Sequence, residues 1–179
     1  MEILTQRLLL RPFRAEDLAA FVAYRSAPDV ARFQSWDEGY SMADAEQFLV
    51  SQQGLVFGRP GEWLQLAAVD RVGGELCGDC AVRVVPYQPA TAEVGVTVAP
   101  GHQGRGLAGE ALAAVMTRLF EGYEIHRIYA QADDRNTAIH RVLERLGFRC
   151  EARLVEADWF KGEWSTLRTY AVLRREWTA

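Results

Sequence analysis

The stretch Gly101-His-Gln-Gly-Arg-Gly-Leu-Ala-Gly109 decides how this chain folds and what it can hold. A β-branched run, Glu93-Val-Gly-Val-Thr-Val98, precedes it, and a helical pattern begins near Leu107. A strand, a glycine loop and a helix start in that order suit a phosphate, because backbone N–H groups converge where the helix dipole favours an anion. Three loop patterns overlap in the stretch. Gly101 and Gly106 satisfy G-x-x-x-x-G, the loop of nucleoside triphosphatases. Gly104, Gly106 and Gly109 satisfy G-x-G-x-x-G, the loop of dinucleotide enzymes. Gln103, Gly106 and Ala108 satisfy Q-x-x-G-x-A, the loop of acyl-coenzyme A enzymes.

The first pattern lacks its chemistry. A triphosphate loop needs Lys and then Ser/Thr after its second glycine, for phosphate charge and for magnesium. Here Leu107-Ala108 stand in those places. The dinucleotide pattern has an acidic residue, Asp133, not far from the expected distance of about 20 residues. Its first glycine should leave the strand directly, yet Ala99 to Gln103 intervene before Gly104. That fold also repeats βαβ units, and only one parallel crossover is visible in this chain. The third pattern survives.

Working outward, residues 3–11 read as a strand, and Glu16–Arg25 as a helix ending before Pro28. Ser41, with Asp44 three residues on, starts another helix through a capping-box pattern. Residues 63–69 and 76–85 flank the turn Val72-Gly-Gly74 and make a hairpin. The strand Thr91–Val98 then leads through the glycine loop into a helix striped by Leu107, Ala111, Leu112, Val115, Met116 and Leu119. Ile125–Gln131 follows, parallel to Thr91–Val98 because a helical crossover joins them. Asn136 caps a last helix, which Gly147 closes. Strands near 148–157 and 164–173, joined at Lys161-Gly162, finish the chain. This order predicts one α+β domain over residues 1–179, built on a mixed, mostly antiparallel sheet with one parallel pair. Gly95, inside its strand, marks a bulge or a close backbone approach.

The net charge of −4 leaves no broad basic footprint for nucleic acid, so a phosphate must be held locally. The N-terminal segment MEILTQRLLLRPF is broken by Glu2, Arg7 and Arg11 and lacks a signal peptide's apolar centre. No segment reaches the ~20 apolar residues of a membrane span, and a cytoplasmic protein is expected. Cys77-Gly-Asp-Cys80 matches C-x-x-C, but no second Cys or His pair completes a zinc set, and no metal is expected. These cysteines read as buried strand residues whose side chains, three apart, point to opposite faces.

The chain resembles the GNAT N-acetyltransferase superfamily, and within it the RimJ/RimL-like branch of ribosomal-protein-alanine acetyltransferases. The likeness runs from Leu8-Leu-Leu-Arg-Pro-Phe13 to Arg174-Arg-Glu-Trp177. It rests on Glu93-Val-Gly-Val96, His102 to Ala108, Asn136 through Arg141 to Phe148, and Lys161-Gly162 before Trp164. The resemblance implies acetyl-CoA as co-substrate and an amine as acceptor, transfer occurring by direct attack in a ternary complex. The expected partners include neither nucleic acid nor a membrane, and a homodimer is left open. It also implies that Gln103, Gly104, Arg105, Gly106, Leu107 and Ala108 hold the pyrophosphate. Val96 and Val98 would pair with the pantetheine arm, and Asn136 would bond it, where the strand splays from its parallel neighbour.

Acetyl transfer needs a neutral amine, and amines of pKa ~8–10 are mostly protonated at pH 7. A carboxylate can take that proton, directly or through water. Glu93, on the strand face of Gly95, is the candidate base, with Asp79 as the alternative. The tyrosine and serine donors of the family correspond to Leu143 and Ile139 here, so His140 is the candidate for helping the thiolate leave. The missing donors also motivate a rival reading, an acyl-CoA-binding sensor or scaffold on the same fold. The acceptor is expected near Gln34-Ser-Trp-Asp-Glu-Gly-Tyr40 and near Trp159, Phe160 and Trp164, aromatic and acidic surroundings that suit a cation.

Overall fold

The computed structural model describes residues 1–178. The first predicted strand is two, β1 (Ile3–Leu4) and β2 (Leu8–Pro12). Thr5 interrupts it, because its hydroxyl accepts the Leu8 N–H at 2.8 Å and diverts the backbone from the ladder. Three helices follow, α1 (Leu18–Arg25), α2 (Pro28–Ala31) and α3 (Met42–Ser51). The capping box of α3 forms as read: the Asp44 N–H reaches Ser41 Oγ at 3.2 Å, and the Ser41 N–H reaches the Asp44 carboxylate at 2.8 Å. Next come β3 (Leu64–Asp70), β4 (Leu76–Val84) and β5 (Thr91–Val98), each antiparallel to its predecessor. The long α4 (Leu107–Gly122) crosses to β6 (Arg127–Asp133), which runs parallel to β5. Then α5 (Thr137–Arg145) leads into the hairpin of β7 (Arg149–Phe160) and β8 (Glu163–Leu173).

All eight strands form one sheet in the order β1-β2-β3-β4-β5-β6-β8-β7. The expected mixed sheet with a single parallel pair is present. Its two faces are covered differently. The stripe of α4 packs with Leu10, Leu66, Val94, Leu143 and Tyr170 on one face. Phe13, Phe21, Ala45 and Phe48 cover Ala67 and Val69 on the other. Each large side chain buried this way contributes roughly 1.5–3 kcal/mol. No helix among the described residues is long and apolar enough to cross a membrane.

Two expectations about the strands need correction. In the β3–β4 ladder Ala68 faces Gly78 while Val69 faces Leu76, so Cys77 is an extra residue. Such a bulge shifts the alternation by one position. Cys77 and Cys80 therefore share one apolar cluster instead of pointing to opposite faces. Gly78 beside the bulge has to be glycine: its φ is 153°, and a Cβ there would lie 2.1 Å from the Thr97 carbonyl oxygen. At Gly95 no bulge occurs, since β4 and β5 stay in register from Gly78↔Val98 to Val84↔Ala92. A Cβ on Gly95 would touch only the Ala81 Cβ, at 3.9 Å.

Candidate active site

The site exists because β5 and β6 part company. They pair over Thr91–Glu93 and Arg127–Tyr129 and no further, although both strands continue. The gap opens into a groove of about 490 Å³. The free half of β5 supplies Val96, Thr97 and Val98, and α5 supplies Asn136, Ile139, Arg141, Val142 and Arg145. The glycine loop closes one end with Gln103, Gly104, Gly106, Leu107 and Ala108. On the remaining side stand Asp29 and Val30 of α2 with Phe33 and Gln34 just beyond it.

Eight of the nine residues expected to hold the co-substrate thus line one groove. Gln103 ties the loop back to its strand, with Nε2 donating to the Val98 carbonyl at 3.0 Å. Gly104 and Gly106 have φ of 72° and 78°, left-handed values that cost a side-chain-bearing residue about 1–2 kcal/mol. A Cβ on Gly104 would meet no atom within 4 Å, so the wall is open there to a ligand. Gly106 is the N-cap of α4 and brings no capping side chain to the helix start. Asn136 combines both expected positions: it caps α5, its side chain accepting from the Ile139 N–H at 3.4 Å, and it lines the groove. Arg105 is the exception. Its side chain turns to His102, with Nη1 3.4 Å from Nδ1, and the groove wall lacks it.

Sequence reasoning missed what holds the loop from outside. Arg7 donates through Nη1 to the Arg105 carbonyl at 2.8 Å and through Nε to Glu110 at 2.6 Å. The Arg7 N–H also reaches Glu110, at 2.7 Å. The N-terminal strand pair thereby braces the first turn of α4. The only sequence signal was an acidic residue at a helix start with an arginine far upstream.

Glu93 sits on the last rung before the strands diverge, opposite both Arg83 and Tyr129. Its Oε2 accepts from Arg83 Nη2 at 2.6 Å and from the Tyr129 hydroxyl at 3.0 Å. The residue is 9% exposed and lies off the groove wall. Burial and the neighbouring Glu93 carboxylate push the Tyr129 phenol above its usual range, which keeps it a donor. Asp79 faces Thr97 across the β4–β5 ladder and is fully buried. It takes the Tyr24 hydroxyl, and burial raises its carboxyl above the usual range against the pull of nearby Arg25.

His140 is not where a proton donor to the groove would stand. It faces the sheet from α5, its ring centroid 5.4 Å from that of Tyr170, and its buried Nε2 has no hydrogen-bond partner. Burial, with Arg168 nearby, holds its imidazole below the usual range. The α5 stripe buries positions 140 and 143 and presents 139 and 142 to the groove, which explains the misplacement. The aromatic box near Tyr40 also differs from expectation. It already encloses a cation, the guanidinium of Arg25, 3.7 Å from the Trp36 ring, 4.2 Å from Phe21 and 5.0 Å from Tyr40. Trp159 and Trp164 remain free, 60% and 58% exposed on the distal hairpin.

Splayed strands joined to an anion-binding loop define a site for an acyl-coenzyme A: the gap accepts an extended arm, and the helix start accepts phosphates. Comparison with known proteins agrees. Residues 7–149 match the acetyltransferase (GNAT) domain. The N-acetyltransferase YnaD of Bacillus subtilis is 29% identical over 182 residues, covering 99% of each chain. A GNAT-family acetyltransferase from Bacillus anthracis superposes with a TM-score of 0.87 at 28% identity, over 98% of this chain and 100% of its own. The spermidine N-acetyltransferase of Vibrio cholerae, solved with CoA and spermine, shares the fold at a TM-score of 0.80 and 20% identity, over 94% of this chain and 96% of its own. The chain belongs to the GNAT acetyltransferase family, and it is an acetyl-CoA-dependent N-acetyltransferase.

Proposed function

We propose that the enzyme acetylates a primary amine on an exposed cationic acceptor, by direct attack, with Glu93 taking the amine proton. The observation carrying this reading is the position of Glu93 on the last paired rung of β5 and β6, where the strand gap begins. A co-substrate with its phosphates at Gly104–Ala108 and its arm along Val98 and Val96 points its thioester toward that rung. The acceptor ammonium first loses a proton to Glu93, directly or through a water. The neutral nitrogen then attacks the thioester carbonyl, a C–N bond forms, the C–S bond breaks with its electron pair going to sulfur, and the nitrogen's surplus proton passes to the thiolate or to water. Arg83 and Tyr129 keep the carboxylate in one place while this happens. An alkyl thiol titrates near ~8.5, so the departing thiolate is a fair leaving group without a dedicated acid.

Cysteine catalysis has no support at this site, because Cys77 and Cys80 are buried in the core and Cys150 lies on β7. Asp29 on the groove wall supports a cationic acceptor. A polyamine and a protein N-terminus both meet this description, as does a small aminoglycoside. Coenzyme A release, measured over a panel containing spermidine, N-terminal peptides and neutral amines, tests the reading. Turnover with the cations and little with the neutral amines is expected. Tight acetyl-CoA binding without turnover on any amine overturns it in favour of a sensor or scaffold.

A further inference from the structure

The chain has one lysine against nineteen arginines, and that lysine is at the tip of the β7–β8 hairpin. Its Nζ donates to the Ala31 carbonyl at 2.8 Å and to the Trp36 carbonyl at 2.6 Å, and it lies 3.4 Å from the Asp37 carboxylate. The ammonium thus holds two backbone carbonyls, that of Ala31 at the end of α2 and that of Trp36 in the segment after it, with the Asp37 carboxylate of that segment at ion-pair distance. That segment carries Phe33 and Gln34, which wall the acceptor side of the groove. Gln34 reaches the Thr97 hydroxyl at 3.4 Å, and Trp36 donates to the Arg25 carbonyl at 3.1 Å while lying over the Arg25 guanidinium. The wall therefore hangs between two cations, the buried Arg25 beneath it and Lys161 of the hairpin tip beyond it.

The geometry points to Lys161 as a positioning residue for the acceptor: it fastens the hairpin to the groove wall and sets how the two present themselves to an incoming amine. The backbone supports this role. Lys161 has a φ of 50° and Gly162 of 84°, a tight turn whose left-handed residues fix where the side chain leaves. Trp159 and Trp164 oppose each other one rung from the turn, their ring centroids 5.3 Å apart and nearly perpendicular. Both rings stay open to solvent, and their distance from Gln34 depends on the Lys161 bonds. A lysine held by two carbonyls and faced by a carboxylate of another segment acts as a cross-link. Bonds from a charged donor are stronger than neutral ones and hold a short segment in one conformation.

The inference rests on the acceptor entering beside α2, and the experiment separates the two ideas. Lys161→Met is expected to raise the acceptor KM about tenfold with kcat within about twofold, the pattern of lost ground-state positioning. Acetyl-CoA affinity should be unchanged, and amide hydrogen exchange over residues 32–40 should accelerate. Lys161→Arg, which keeps a cation and several donors, should recover most of the loss. If Lys161→Met fails to fold, Lys161→Gln is read the same way, with acetyl-CoA affinity as its folding control. Unchanged exchange over residues 32–40 together with an unchanged acceptor KM overturns the proposal. A loss confined to acetyl-CoA affinity overturns it as well. Should the wild type acetylate no amine, the functional reading fails, and the exchange comparison still decides whether the clamp exists.

Discussion

The two halves of the groove are built by different means. The half proposed for the co-substrate is mostly backbone from one continuous stretch, Gln103 to Ala108, set at a helix start and braced by Arg7. The side proposed for the acceptor is held by side chains from distant segments: Gln34 on Thr97, and behind it Trp36 on Arg25 and Lys161 reaching back across 125 and 130 residues. A backbone site tolerates many side chains, provided the glycines remain. A side-chain site changes with any one of them. One half suits a constant ligand, and the other suits acceptors that differ between relatives.

Substitutions should respect that division. The largest effect is expected at Glu93. Glu93→Gln keeps the shape but not the basicity, and kcat should fall by about 10²–10⁴-fold, the usual contribution of a positioned base. Acetyl-CoA affinity, read by calorimetric titration, should survive, and activity should partly return at high pH, where the amine is already neutral. Equal rates for mutant and wild type from pH 6 to 9 would hand the proton to water or to Asp79.

Gly106→Val should do the reverse. It puts a β-branched residue at a φ of 78°, its Cβ 3.6 Å from Arg7 Nη2, and affinity should drop by roughly tenfold or more, given the ~1–2 kcal/mol of left-handed strain alone. At saturating acetyl-CoA the rate should be largely kept. A change in acceptor KM alone would break the comparison. Arg7→Met is a milder version, because it removes only the brace. Loss of one charge-assisted bond at ~1.5–3 kcal/mol, shared with partial relaxation of the loop, should weaken affinity several-fold without touching the acceptor KM.

His140 should show the smallest kinetic effect. His140→Leu is expected to leave kcat within about twofold, whereas a proton donor would cost about 10²-fold or more. Its signature belongs to stability. An imidazole held below its usual range in the fold binds its proton more readily when unfolded. The stabilisation is therefore complete above the unfolded value of ~6.5 and is lost as pH falls through the folded one. Thermal midpoints from pH 7.5 to pH 5 should decline less steeply in the variant than in the wild type. An identical slope would remove the buried neutral histidine from the account.

The contrast between the halves also explains what the sequence disclosed. The loop, its helix and the Asn136 cap are local patterns, spaced by the helix and strand repeats, and all were readable. Glu93 could be placed on its strand, but its partners Arg83 and Tyr129 come from the neighbouring strands and had no local trace. The aromatic residues around Tyr40 were visible, while the cation they enclose was not, because Arg25 reaches Trp36 and Tyr40 from the end of α1. The break at Thr5 and the bulge at Cys77 escaped for the opposite reason: each turns on a single residue inside a pattern that otherwise reads as continuous strand.

The lone lysine has one more consequence, for the enzyme as a target of its own reagent. A protein that works with a thioester acylating agent exposes its nucleophiles to it. Guanidinium groups stay protonated at neutral pH and do not compete for acyl groups. The one side-chain amine donates to two carbonyls and faces a carboxylate, so an acyl donor has to break those bonds to reach it. Mass spectrometry after long incubation with acetyl-CoA should find Lys161 unmodified in the native protein and acetylated once the chain is unfolded. The bonds that fasten the hairpin thus also occupy the one side-chain amine of an enzyme that works with an acylating agent.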